Sequence, residues 1–223
     1  MRLDLVPAPA ELERHSRALA LLEAGLNPRP ATRWHVFTST DDGRVCRVSD
    51  GSGNEALHWF KSEEAVIRGF DHESPITPWA QEPMALWPGM YEGAPAFVVA
   101  SPTIEVAGVE SVTFCFWWLD DRWQRGSVEF PPSVHADPDG SAYLLKRVAN
   151  VTEAGAFLAS YYERPVDSAV VRAVFDGQPL TAELLRAIAI ETSIDDVVAE
   201  ATRIGYPIDI TSPTRRRRWF GRS

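Results

Sequence analysis

The chain has 223 residues and a mass of 24.8 kDa, and its 45% hydrophobic and 24% charged residues give a globular balance, not a disordered one. No apolar run approaches the roughly 18–20 residues of a membrane-spanning helix, and two cysteines, Cys46 and Cys115, make neither a disulfide framework nor a thiolate zinc site. The formal charge is −9 although Arg215, Arg216, Arg217, Arg218 and Arg222 crowd the end of the chain, so the body is more acidic still; it repels phosphate backbones and favours basic partners.

Residues 9–24 read as a helix, with Leu12, Leu19 and Leu22 on one face and Leu21 on the other. Pro9 suits the first turn, Gly25 is a natural stop sealed by Leu26, and residues 27–30 form a linker. From Arg33 the texture turns to β. Residues 34–38 and 44–48 flank the turn Thr40-Asp41-Asp42-Gly43, and residues 57–60 and 65–70 flank Lys61-Ser62-Glu63-Glu64. A proline-rich loop over 74–95 carries Trp79, Trp87 and Tyr91, and residues 97–99 read as a short strand. Residues 112–119 and 123–130 form a hairpin turning at Asp120-Asp121; its first arm, apolar on both faces, belongs centrally in the sheet. After Pro138 the pattern is helical, with Asp139, Thr152, Asp167, Thr181 and Ser193 placed as N-caps and Gly205 closing the last helix.

The expected fold is therefore α+β. An N-terminal helix and linker occupy 1–30, an antiparallel sheet 31–132, and a cluster of short helices packed on the sheet 133–210, followed by a basic, disordered tail over 211–223. The first seven residues lack an apolar signal core, which points to the cytoplasm.

Two polar clusters stand out. Asp71, His72 and Glu73 leave the end of a predicted strand, where two carboxylates and an imidazole can hold a divalent metal or act as acid and base. The alternative is that Asp71 and Ser74 shape a turn before Pro75. His135, Asp137 and Asp139 form the second cluster, read more simply as a turn and helix cap. Phosphate-binding, dinucleotide, zinc-protease and nucleophile-elbow motifs are missing, and both cysteines sit in predicted strands as inert thiols. Seven of the eight tryptophans lie between Trp34 and Trp123. Exposed aromatics beside acids suit a protein-binding surface, and Trp79, Trp87, Tyr91, Asp120 and Asp121 are the expected partner-binding residues. The competing reading of the loop aromatics is that they staple the loop to the sheet.

The run Gly69-Phe70-Asp71-His72-Glu73-Ser74-Pro75, then Trp87-Pro88-Gly89, Phe114-Cys115-Phe116-Trp117 and Asp137-Pro138-Asp139-Gly140, resembles a group of bacterial proteins without a known activity. In size, acidity and aromatic content the chain also resembles bacterial immunity proteins, which neutralise toxins by binding them. The acidic body and exposed aromatics, together with that resemblance, point to a non-enzymatic module that binds a basic protein, as an inhibitor of a basic toxin or nuclease does, with no cofactor; the tail Arg215 to Arg218 suits anionic lipid, nucleic acid or the acidic body itself, and a membrane-surface or nucleic-acid adaptor working through it is a further reading. The alternative is a metal-assisted hydrolase using Asp71, His72 and Glu73.

Overall fold

The computed structural model describes residues 1–103, 108–132 and 136–210; His135 and the basic tail lie outside the described residues. One long helix, α1 (Pro9–Leu26), precedes six strands: β1 (His35–Thr40), β2 (Gly43–Ser49), β3 (Glu55–Lys61), β4 (Glu64–Phe70), β5 (Phe114–Leu119) and β6 (Arg122–Gln124). A short helix, α2 (Ala96–Ala100), lies within the β4–β5 connection. Five further helices follow: α3 (Ser141–Ala149), α4 (Val151–Tyr161), α5 (Ser168–Phe175), α6 (Ala182–Ile188) and α7 (Ile194–Arg203). The strands pair antiparallel in the order β1-β2-β3-β4-β5-β6, so the expected α+β plan holds. Among the described residues, no helix is long and apolar enough to cross a membrane.

Both faces of the sheet are covered. Phe37, Cys46, Ala56, Phe60, Ile67 and Phe116 meet α1 and the C-terminal helices. The alternate residues Leu57, Trp59, Val66, Cys115 and Trp117 meet Ile76, Met90, Val98 and Val112 from the long β4–β5 connection. Arg68, fully buried on this second face, ties the connection down: its Nη2 donates to Val98 O at 2.5 Å and Ser101 Oγ at 2.8 Å, and its Nη1 to Pro102 O at 3.2 Å. A cation at the end of α2 satisfies carbonyls that the helix leaves open. Residues 97–99 are therefore helical, not the expected strand. β5 is buried on both faces but is the penultimate strand, and its partner β6 stops at Gln124. Gly126 lies against Gly89 there, with room for no side chain.

The interior of α1 is polar where it crosses the sheet. Ser16 and Glu23, two turns apart, are both fully buried. The Glu23 carboxylate accepts from Trp34 N at 2.7 Å, His35 N at 3.2 Å, His35 Nδ1 at 2.5 Å and Tyr162 Oη at 2.8 Å. Four donors satisfy a buried carboxylate, which is otherwise too costly to bury. Ser16 Oγ meets His58 Nδ1 at 3.1 Å. Burial, with His35 close by, pulls the His58 imidazole down to about 3.

Several boundaries differ from the sequence reading. Leu21 is buried although it lies on the side of α1 opposite Leu12, Leu19 and Leu22, since α5, α6 and α7 also pack on α1. Gly25 continues the helix: a Cβ there would lie 2.1 Å from Ile188 O, and its own carbonyl accepts from Ile190 N and Glu191 N. Asn150, not Thr152, caps α4, accepting from Thr152 N and Glu153 N. At α3 the cap position is Gly140 in the left-handed region; Asp139 accepts from Ser141 N while Asp137 accepts from Ala142 N and Tyr143 N. Asp167, Thr181 and Ser193 cap as expected.

Two predictions follow from this interior. Gly25→Ala, which helix propensity alone favours by about 1 kcal/mol, is expected instead to destabilise by about 1–3 kcal/mol through overpacking against Ile188, measured by urea unfolding. His58 has a folded pKa below its ordinary 6.5, so its contribution to stability is complete above that value and is lost as pH falls toward 3. His58→Gln should therefore flatten the loss of unfolding free energy between those limits; an unchanged slope would contradict the assignment.

Candidate functional site

In an antiparallel meander, successive turns fall at alternate ends of the sheet. The β1–β2, β3–β4 and β5–β6 turns thus share one end, and each is acidic: Asp41-Asp42, Glu63 with Glu64, and Asp120-Asp121. Trp59 Nε1 donates to Asp42 O at 3.0 Å and holds the first tip against β3. Asp120 and Asp121 both adopt left-handed backbone, with φ of 52° and 57°. That is the geometry of a type I′ turn, where Asn-Gly is the usual choice.

A cleft of about 680 Å³ opens at this end. Its floor is Phe60, Phe97, Trp118 and Leu119; its wall is Ala8, Pro9 and Ala10 at the start of α1; its rim is Glu63, Glu64, Asp120 and Asp121. Two further charged residues, Glu13 and Arg44, neutralise each other: Arg44 Nε and Nη2 donate to the Glu13 carboxylate at 2.5 and 2.9 Å, and Arg17 donates to it as well. That bond raises the Arg44 guanidinium above its ordinary value. Among the described residues no ion pair engages the four rim acids, although Lys61 and Arg122 flank them in sequence. An acidic rim over an apolar floor is complementary in charge to a cation carrying apolar surface.

The sequence-predicted residues do not form one surface. Asp120 and Asp121 sit on the cleft rim. Trp79, Trp87 and Tyr91 belong to the connection that leaves the opposite end of β4, about 20 Å away along seven residues of strand. Trp79 is 60% exposed and rests its ring edge-to-face on Phe70, with centroids 5.1 Å apart. Trp87 is half-buried and donates from Nε1 to Glu129 O at 3.0 Å; Tyr91 Oη donates to Val109 O at 2.9 Å. The last two fasten the connection to its neighbours.

Asp71, His72 and Glu73 lie at that far end too, in a turn and not an extended run. Asp71 Oδ1 accepts from Glu73 N at 2.9 Å, and His72 Nδ1 meets Asn54 Oδ1 at 2.7 Å. Ser74 Oγ donates to Pro138 O, and Thr113 Oγ1 accepts from Asp71 N while donating to Asp139 O. The described part of the second polar cluster therefore meets the first: a Cβ on Gly140 would lie 2.2 Å from the Asp71 Cβ. Burial raises the Asp71 carboxyl, opposed by the Glu73 amide. Among the described residues, no three His, Cys, Asp or Glu side chains are grouped as metal ligands. Burial also pushes both cysteine thiols up, Cys115 to about 12.

Sequence reasoning missed the cleft floor and half its rim. Phe60 reads as part of a strand and Glu63-Glu64 as turn chemistry, whereas adjacent Trp117 and Trp118 face opposite sides of a strand, so that one of them is exposed unless both faces are covered. The signal that finds them is parity: three acidic turns at odd positions of a meander.

Trp87→Ala is expected to cost about 2–3 kcal/mol of stability, whereas Trp79→Ala costs no more than about 1 kcal/mol, both read from denaturant midpoints. Equal costs would contradict the division into staple and exposed ring. No protein-family model, curated protein or solved structure matches this chain.

Proposed function

We propose that this protein is a non-enzymatic binding module that captures a basic protein partner at the acidic end of its sheet, in the manner of an immunity protein masking a basic toxin or nuclease. The observation that carries this reading is that the three acidic turns share one end of the sheet, where Glu63, Glu64, Asp120 and Asp121 line a cleft with an apolar floor. Exposed carboxylates of one sign steer an oppositely charged partner and raise its association rate. The floor then supplies what surface charge cannot: Trp118 and Leu119 offer apolar area to an inserted side chain, and a desolvated aromatic contact is the usual centre of an interface.

The Asp120-Asp121 turn supports the same reading from strain. Two non-glycine residues in left-handed backbone cost stability that Asn-Gly would restore without altering the hairpin. Two carboxylates at a tip that disfavours them are what a binding role would retain.

The test is the variant D120N/D121G. It is expected to gain about 1 kcal/mol in urea unfolding and to bind an arginine- and tryptophan-containing peptide at least about fivefold more weakly at low salt. Unchanged affinity would overturn the proposal.

A further inference from the structure

The cleft and the end of the chain are complementary. Residues 215–220 read Arg-Arg-Arg-Arg-Trp-Phe: four guanidinium groups followed by two aromatic rings. The cleft presents four rim carboxylates, Glu63, Glu64, Asp120 and Asp121, over a floor containing Phe60 and Trp118. We infer that the chain's own segment 215–220 occupies the acidic cleft in cis, so that a basic partner must displace it. The inference rests on the cleft being the binding site, as argued above.

Reach permits it. Arg17 donates to both the Glu13 carboxylate on the cleft wall and Gly205 O beyond α7, which holds those two groups within about 8 Å of each other. From Gly205 to Ile210 is five residues, at most about 18 Å. Ile210 therefore lies within about 26 Å of the Glu13 carboxylate. Ten further residues, to Phe220, span up to about 35 Å. Asp209 N bonded to Leu180 O, and the Leu180–Ile208 bridge beside it, fix the point from which the segment departs.

Chemistry favours this occupant over lipid or nucleic acid. Within one molecule, an acidic cleft competes for the arginines at the effective concentration of a tether, in the millimolar range for short linkers. A bound segment would also relieve the mutual repulsion of the rim acids and cover Trp118.

Two measurements on the full chain test this. A synthetic peptide with the sequence of residues 214–223 is titrated into the protein and into its R215Q/R216Q/R217Q/R218Q variant at low salt. The peptide should bind the variant about tenfold more tightly, because its tethered competitor is gone. Equal affinity for the two chains overturns cis occupancy while leaving the cleft as a binding site; binding to neither overturns both. For the second, Ser223→Cys carries a nitroxide, attached selectively because Cys46 and Cys115 are buried. Its relaxation effect should broaden the amides of Asp42, Glu63, Glu64, Leu119 and Asp121, vanish at high salt and not vary with protein concentration. Broadening that spreads evenly over the surface overturns the inference, as does a pattern that grows with concentration, the signature of a second copy binding in trans.

Discussion

The up-and-down order of the sheet is the constraint on which the rest depends. Because each strand reverses the last, the β1–β2, β3–β4 and β5–β6 turns are forced to one end, and the β2–β3 turn and the long β4–β5 connection to the other. Six carboxylates spread over eighty residues of sequence thereby share one end of the sheet, and four of them, Glu63, Glu64, Asp120 and Asp121, line one cleft. The end opposite is organised by hydrogen bonding instead: Asp50 accepts from Ser52 N and Asn54 N, and Asp71, Thr113 and Asp139 lock the connection to the start of α3. The backbone of that end is tied down by side-chain hydrogen bonds, whereas among the described residues no ion pair engages Glu63, Glu64, Asp120 or Asp121 at the other.

That arrangement is held in place by two layers of different character. On one face α1 lies across the strands, with apolar packing on either side of the Glu23 and Ser16 contacts, so that the helix has one register in which those polar groups find partners. On the other face the connection acts as the second layer, pinned by the buried Arg68 to α2 and by Trp87 and Tyr91 to its own flanks. The start of α1 is fixed as well, since Trp123 Nε1 donates to Pro7 O at 2.7 Å. This contact sets the cleft wall beside Trp118, whose ring meets Trp123 edge-to-face with centroids 5.5 Å apart.

Much of this was legible because it depends on local chemistry. Pro9 at the first turn, the paired β-prone runs around acidic turns, and the side chains of Asp167, Thr181 and Ser193 all act within a few residues of themselves. What periodicity could not convey was tertiary. Val98 and Val99 are β-branched, yet they join a helix that the buried Arg68 meets at Val98 O. Gly25 reads as a terminator, yet serves the approach of Ile188. The site was half legible: Asp120 and Asp121 were singled out beside Trp79, Trp87 and Tyr91, which the fold carries to the opposite end. Glu63 and Glu64 stayed hidden because a turn acid looks structural until strand order shows what it faces, and sequence alone did not say which of Trp117 and Trp118 is the more exposed.

The proposed binding surface is made of the acidic hairpin tips and the floor between them. It is tested most directly by mapping amide shift changes on the isotopically labelled full chain while an arginine- and tryptophan-containing peptide is added. The largest changes are expected on Asp42, Glu63, Glu64, Trp118, Asp120 and Asp121. Changes centred instead on Trp79 and His72, at the other end of the sheet, would contradict it.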